Sequence, residues 1–170
     1  MTPLRRSTYT TMYESSTKLP PCGLYRTTRP LPGKEEWVRE HLLVYFHNHS
    51  QQGPPLILLP ATNADNRWSF HDKGYLIRDV DYAESLEPVY AEGFYVLKEP
   101  IYLSRDEFIP EETLVQLGYN RAADPILFLA KFTDDSILFP NSGLKCTTEI
   151  FDMLDEVNFR VPNHMRDPFH

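Results

Sequence analysis

The stretch "GLYRTTRPL" at residues 23–31 decides the predicted fold, because a similar stretch, "GFYVLKEPI", stands at residues 93–101. The two stretches share a glycine, a tyrosine and a proline at the same spacing, seventy residues apart. Similarity within one chain at a fixed distance is the sequence signature of a repeated structural unit. The pair therefore predicts that one unit of structure occurs twice.

The similarity continues along both halves in the same order. "WVREHLLVYF" at 37–46 lies over "FIPEETLVQL" at 108–117, an offset of 71 residues. At that offset Pro54, Leu56 and Leu58 meet Pro125, Leu127 and Leu129. After a two-residue deletion, at an offset of 69, Phe70, Gly74 and Tyr82 meet Phe139, Gly143 and Phe151. This order, with only small gaps, favours a duplication with modules at 22–91 and 92–158. A match between two halves describes architecture and identifies no family.

Each module is rich in residues that favour strands. Segments such as "HLLVYFHN" and "PILFLAKF" are aromatic and branched, and polar, Gly or Pro breaks separate them at short intervals. This spacing is typical of a small antiparallel barrel or sandwich, and a short helix is predicted to end each module, near 80–87 and 147–156. Because a unit of about 70 residues is marginal alone, we predict a mainly β protein whose two modules pack as one pseudo-symmetric body.

The two ends of the chain differ from the modules. Residues 1–21 are rich in Ser, Thr and Tyr without apolar periodicity, which predicts a flexible arm, and residues 159–170 read as an extended tail. The longest apolar run, "PPLILLPA", is far shorter than the ~20 residues that cross a bilayer. No apolar segment follows the N-terminal arginines, so no secretory signal is predicted. We expect a soluble, cytoplasmic protein without a membrane partner.

Charge and cysteine usage narrow the classes of partner. The net charge is −7, and residues 1–22 carry +2, which leaves −9 for residues 23–170. Such a body repels phosphate backbones, which argues against nucleic acid and is compatible with a basic partner. Cys22 and Cys146 show no metal-ligand spacing and are read as reduced thiols, with a disulfide between the two halves as the alternative.

The most specific alternative function that the sequence suggests is a metal site. In "YFHNHSQQGPP" at 45–55, His47 and His49 are two residues apart, so in a strand both side chains would point to one side. With His71 or Asp72 as a third ligand they could hold one divalent transition metal. The chemistry would be a metal-activated water that attacks an ester or phosphodiester.

The second module argues for a simpler interpretation of this stretch. At the offset of 71 it has Gly118, Tyr119 and Asn120, which make the same turn without imidazole. Asn and Gly tolerate turn backbone angles, so the stretch is predicted to be a hairpin turn without a cofactor. No G-x-S-x-G elbow occurs, and neither cysteine has an evident histidine partner for nucleophilic catalysis.

Surface function is expected where the modules differ in polarity. Most aromatic side chains, Tyr102 and Phe108 among them, are expected in the core. The candidate binding residues are Tyr45, His47, Asn48, Tyr119 and Arg121. An acidic surface with exposed aromatic rings could bind a basic peptide. We therefore predict a non-catalytic adaptor that binds a protein or peptide; the alternatives are a metal-dependent hydrolase centred on His47 and His49 and a structural subunit of a larger assembly.

Overall fold

The computed structural model describes residues 19–48 and 53–157. Of these residues 40% lie in strands and 8% in helices, and the sheets are antiparallel, so the prediction of a mainly β protein is confirmed. The predicted arm is described only from Leu19 onwards, and the predicted tail lies outside the described residues.

The first five-stranded sheet is built from the first half of the chain. Its strands are β1 (Gly23–Arg26), β2 (Leu43–His47), β3 (Leu56–Leu58), β6 (Tyr75–Leu76) and β7 (Glu87–Pro88). Their spatial order is β6-β3-β2-β1-β7. Because side chains alternate along a strand, Val44 and Phe46 of β2 point to one face, where both are fully buried.

The second five-stranded sheet follows in the other half. Its strands are β8 (Gly93–Leu97), β11 (Leu114–Tyr119), β12 (Pro125–Leu129), β15 (Leu144–Lys145) and β16 (Leu154–Glu156), in the order β15-β12-β11-β8-β16. When the five strands of each sheet are numbered along the chain, their spatial order is fourth, third, second, first, fifth in both sheets. The outer strands of each sheet do not pair with each other, so neither sheet closes and the predicted barrel is wrong.

Short hairpins and helices connect the sheet strands. The hairpins are β4 (Pro60–Ala64) with β5 (Arg67–Phe70), β9 (Ile101–Tyr102) with β10 (Phe108–Ile109), and β13 (Lys131–Phe132) with β14 (Ile137–Leu138). Helix α1 (Val80–Glu84) begins after Asp79, whose carboxylate accepts a hydrogen bond from the Asp81 N–H. A 3₁₀ helix spans Thr148–Met153. Both lie where the sequence predicts a short helix. In the described part of the chain no helix is long and apolar enough to cross a bilayer.

The buried apolar side chains form two clusters, one beneath each sheet. The first contains Tyr25, Val44, Phe46, Ile57, Ile77 and Tyr82, and the second contains Tyr95, Leu97, Val115, Leu117, Leu127 and Phe151. Leu43 of β2 belongs to the second cluster, and Trp68 and Phe70 of β5 pack against it. The first sheet therefore contributes side chains to the core beneath the second, and the two sheets share apolar contact.

Candidate functional site

The end of β2 carries three of the predicted binding residues. Tyr45 is half-buried, and its ring packs against Phe70 with 5.7 Å between the centroids. His47 and Asn48, also half-buried, lie beside Cys22, the residue that precedes β1. These three predicted residues therefore lie on one part of the first sheet, next to a cysteine.

Cys22 has a histidine neighbour that the sequence did not reveal. Its thiol donates to Asn48 Oδ1 at 2.9 Å, and its Sγ lies 3.7 Å from His47 Nδ1. The pairing of Gly23 with Phe46 brings these residues together, because it sets Cys22 beside the next residues of β2. The prediction that neither cysteine has a histidine partner is thus wrong for Cys22. Since Asn48 also donates from its backbone to Cys22 Sγ at 3.3 Å and from its side chain to the Pro20 carbonyl at 3.0 Å, the cluster holds the chain ahead of β1 against β2.

The residues of the metal alternative are not assembled around one point. His71 is exposed, and its N–H donates to the carbonyl of Leu59, whereas His47 pairs with Leu56. Leu59 lies three positions along the chain from Leu56, roughly 10 Å in extended backbone, while zinc binds its ligand atoms at about 2 Å. Asp72 is exposed next to His71, and His49 lies outside the described residues. Among the residues described, no group of three or more His, Cys, Asp or Glu could hold a metal ion.

Tyr119 and Arg121 lie where the two sheets meet. Tyr119 is 3% exposed, and its hydroxyl donates to the Tyr90 carbonyl at 2.6 Å. The pKa of the Tyr119 hydroxyl is raised, mainly because the group is buried. Arg121 lies over the Trp68 ring at 4.8 Å and donates to the carbonyls of Pro60 and Ala61. Both side chains are thus engaged within the molecule.

The β4–β5 hairpin makes the principal polar contact with the second sheet. Asp65 and Asn66 have φ of +51° and +64°, the pattern of a tight two-residue hairpin turn. The buried Asn66 amide donates to Gln116 Oε1 at 3.0 Å, and the Gln116 amide donates back to the Asp65 carbonyl at 2.9 Å. A Cβ at Gly118 would lie 2.8 Å from the Asn66 carbonyl oxygen, so this close approach requires glycine. We call this contact the hairpin junction.

Glu92 completes the hairpin junction. Its carboxylate accepts hydrogen bonds from the Trp68 N–H at 3.0 and 3.3 Å. Burial raises the pKa of this carboxyl, and the bond from Trp68 and the charge of Arg67 oppose that rise. The junction therefore contains a carboxylate whose charged form is disfavoured by burial.

Replacing Glu92 with glutamine is expected to remove a pH dependence of stability. The raised pKa means that the folded state binds this proton more tightly than the unfolded state does. Its stabilising contribution is complete at low pH and is lost as the pH rises from about 4.5 through the folded pKa. At neutral pH the variant should be at least as stable as wild type, because its amide oxygen still accepts from Trp68 and no charge is buried.

Urea unfolding of both proteins between pH 4 and pH 8 measures this effect. The unfolding free energy of wild type minus that of Glu92→Gln should fall as the pH rises through the window. A difference that stays constant across the range would show that the carboxyl is not perturbed.

A separate surface in the second half of the chain exposes large apolar side chains. They lie on the β9–β10 and β13–β14 hairpins: Tyr102, Leu103, Phe108, Phe132, Ile137 and Leu138, each between 45% and 70% exposed. Both hairpins contribute to a groove of about 550 Å³, which is lined by Leu103 and Ile109 of the first, Lys131 of the second, and Leu129 and Leu144 of the sheet. We call this surface the two-hairpin face. Tyr102 and Phe108, expected in the core, are exposed on it.

The two-hairpin face contains most of the exposed large apolar side chains among the described residues. The two others are Tyr90 and Trp37, and Trp37 lines a different groove of about 430 Å³ beside the sheet boundary. Scattered single apolar side chains are normal on a surface, whereas a contiguous group marks an interaction site. The two-hairpin face is therefore the strongest candidate for a binding site.

Comparison of the chain with known protein families, with curated proteins and with solved structures finds no match.

Proposed function

We propose that the protein is a non-catalytic interaction protein, built from a duplicated β module, that binds another protein through its two-hairpin face. The observation that carries this proposal is the presence of six exposed large apolar side chains on two hairpins that both contribute lining residues to one groove. Leaving such a group in water is costly, and covering it with a partner recovers about 25 cal/mol for each Å² of apolar surface. A partner protein is the ligand that such a face fits.

The duplication is supported by details that recur at matching positions. The Tyr25 hydroxyl donates to the carbonyl four residues earlier at 2.7 Å, and that of Tyr95 does the same at 2.8 Å. His41 and Glu112, 71 residues apart, both have positive φ, +58° and +63°. Such backbone is uncommon for residues other than glycine. Its recurrence therefore argues that the same unit is built twice.

The residue pairings between neighbouring strands support the duplication, and they change one of the pairs matched between the two modules. Phe46 lies opposite Ile57 in the first sheet, and Leu117 lies opposite Leu127 in the second. With Phe46 matched to Leu117, Ile57 rather than Leu56 matches Leu127. The turn after β2 is thus one residue longer than the turn after β11.

The matching hairpins of the two modules have different surroundings. The β4–β5 hairpin of the first module packs on the second sheet through Asn66 and Trp68. With Phe70 matched to Phe139, the counterpart of Trp68 is Ile137, which is 48% exposed. The element that joins the sheets in the first module thus faces outwards in the second, which supports a role in contact with another protein.

Selection of random peptides on the immobilised protein tests the proposed function. We expect a recurrent peptide, and we expect the double variant Phe132→Ser and Ile137→Ser to bind it at least tenfold more weakly, because exposed apolar anchors dominate such contacts. Isothermal titration calorimetry gives the affinities.

Trp37→Ser is the matched control, because it removes an equally exposed apolar side chain outside the face. Its affinity should stay within about twofold of wild type. Both variants should keep the wild-type melting temperature, since these side chains are exposed. The proposal fails if no selected peptide distinguishes the double variant from the control.

A further inference from the structure

We infer that the two-hairpin face binds a segment of another protein in which a bulky apolar side chain stands between lysine or arginine residues. This inference rests on the proposed function and names the chemistry of the partner. It is carried by the combination of an apolar groove with acidic turns on the two hairpins that contribute to its lining.

The groove provides the apolar part of the site. Leu103 comes from the β9–β10 hairpin, Leu129 from the end of β12 and Leu144 from β15, so three elements line it. Phe132 and Ile137 pair across β13–β14, the hairpin whose Lys131 lines the groove, and are 70% and 48% exposed. A bulky apolar side chain placed there removes its own surface and that of the hairpins from water.

Both hairpins that contribute to the groove have acidic turns. Asp106 and Glu107 lie on the β9–β10 turn, and Asp134 and Asp135 lie on the β13–β14 turn, all of them exposed. None of these four carboxylates forms an ion pair within the described residues. With Arg105 and Lys131 included, residues 101–109 and 131–138 carry a net charge of −2. This field favours cationic side chains on either side of the apolar anchor.

A second copy of the chain fits this face poorly. Each copy carries −7, so two copies repel each other. The hairpin junction also depends on the missing side chain of Gly118, where the first sheet has His47 at the matching position. A β13–β14 hairpin could not approach the first sheet of another copy in the same way.

Three synthetic heptapeptides test the inference by calorimetry with the full chain. The first has phenylalanine between two Lys-Arg pairs, the second replaces the phenylalanine with serine, and the third replaces the four basic residues with glutamate. We expect the first to bind, and the other two to bind at least tenfold more weakly. Raising the NaCl concentration from 50 to 300 mM should lower the affinity for the first peptide several-fold, because salt screens exposed charges.

Variants of the protein that lack particular carboxylates show which acidic side chains contribute to peptide binding. The double variant Asp134→Asn with Asp135→Asn should bind the first peptide about three- to tenfold more weakly, and its melting temperature should be unchanged. Glu149→Gln with Asp152→Asn removes two exposed carboxylates from the 3₁₀ helix instead. This control should leave the affinity within about twofold of wild type.

Three outcomes would overturn the inference. If randomly selected peptides bind the two-hairpin face but are neutral or acidic and ignore the Asp134/Asp135 change, the inference fails while the proposed function stands. If sedimentation equilibrium shows association that Phe132→Ser with Ile137→Ser abolishes, the occupant is a second copy. If a peptide of residues 158–170 binds the face and deleting those residues strengthens binding of the first heptapeptide tenfold, the occupant is the chain's own segment.

Discussion

Replacing Phe46 with alanine is expected to lower the free energy of unfolding by about 3–5 kcal/mol. The side chain is fully buried and lies opposite Ile57, which is also fully buried. Its ring meets the Tyr25 ring edge to face, with 5.8 Å between the centroids. The loss therefore combines transfer of a large apolar group, a cavity and one aromatic contact. Urea unfolding followed by circular dichroism measures it.

Phe46→Leu is the matched control for this prediction. In the second sheet a fully buried leucine, Leu117, lies opposite Leu127, so a central strand of this fold accommodates leucine in its core. We expect a cost of about 1.5 kcal/mol or less. Equal costs for the two variants would mean that the cavity does not determine the loss. A cost below 1 kcal/mol for Phe46→Ala would show that β2 is not the centre of the first core.

The strand-rich architecture was predictable because it depends on local residue types. The aromatic and branched residues of β2 and β11 favour strands wherever they stand. The short helices were predictable from local spacing, since Tyr82 and Leu86, and likewise Phe151 and Leu154, stand four and three residues apart near the predicted ends of the modules. The barrel prediction was wrong because closure depends on whether two outer strands meet, and no local pattern encodes that contact.

The candidate site was not predictable to the same degree. Phe132 and Ile137 lie in a short apolar pattern that also describes a buried strand, and they are exposed because nothing in the described structure covers that hairpin. Cys22 and His47 are 25 residues apart, and only the register of β1 against β2 makes them neighbours. Tyr119 was expected at the surface, yet it is buried, because it lies where the two sheets meet and its hydroxyl donates to the Tyr90 carbonyl.

Replacing Trp68 with alanine is expected to lower the free energy of unfolding by about 3 kcal/mol. The indole N–H donates to the Tyr119 carbonyl at 2.7 Å, so its loss leaves a carbonyl between the sheets without that donor. The ring also packs against the second core, and the Arg121 guanidinium carbon lies 4.8 Å from the centroid of the ring. Since Trp68 is half-buried, the expected cost lies at the lower end of the range for fully buried tryptophan.

Trp68→Phe and Arg121→Ala separate the parts of this contact. Phenylalanine keeps a ring beneath Arg121 but has no N–H, so it should cost about 1 kcal/mol. A double-mutant cycle of Trp68→Ala with Arg121→Ala should give a coupling of about 0.5–1 kcal/mol. Because Trp68 lies on the β4–β5 hairpin, which follows β3 of the first sheet, and packs against the second core, its loss should also make the unfolding of the two halves less cooperative. A Trp68→Ala protein that loses under 1 kcal/mol and still unfolds in one sharp transition would mean that the apolar contact of Leu43 alone holds the sheets together.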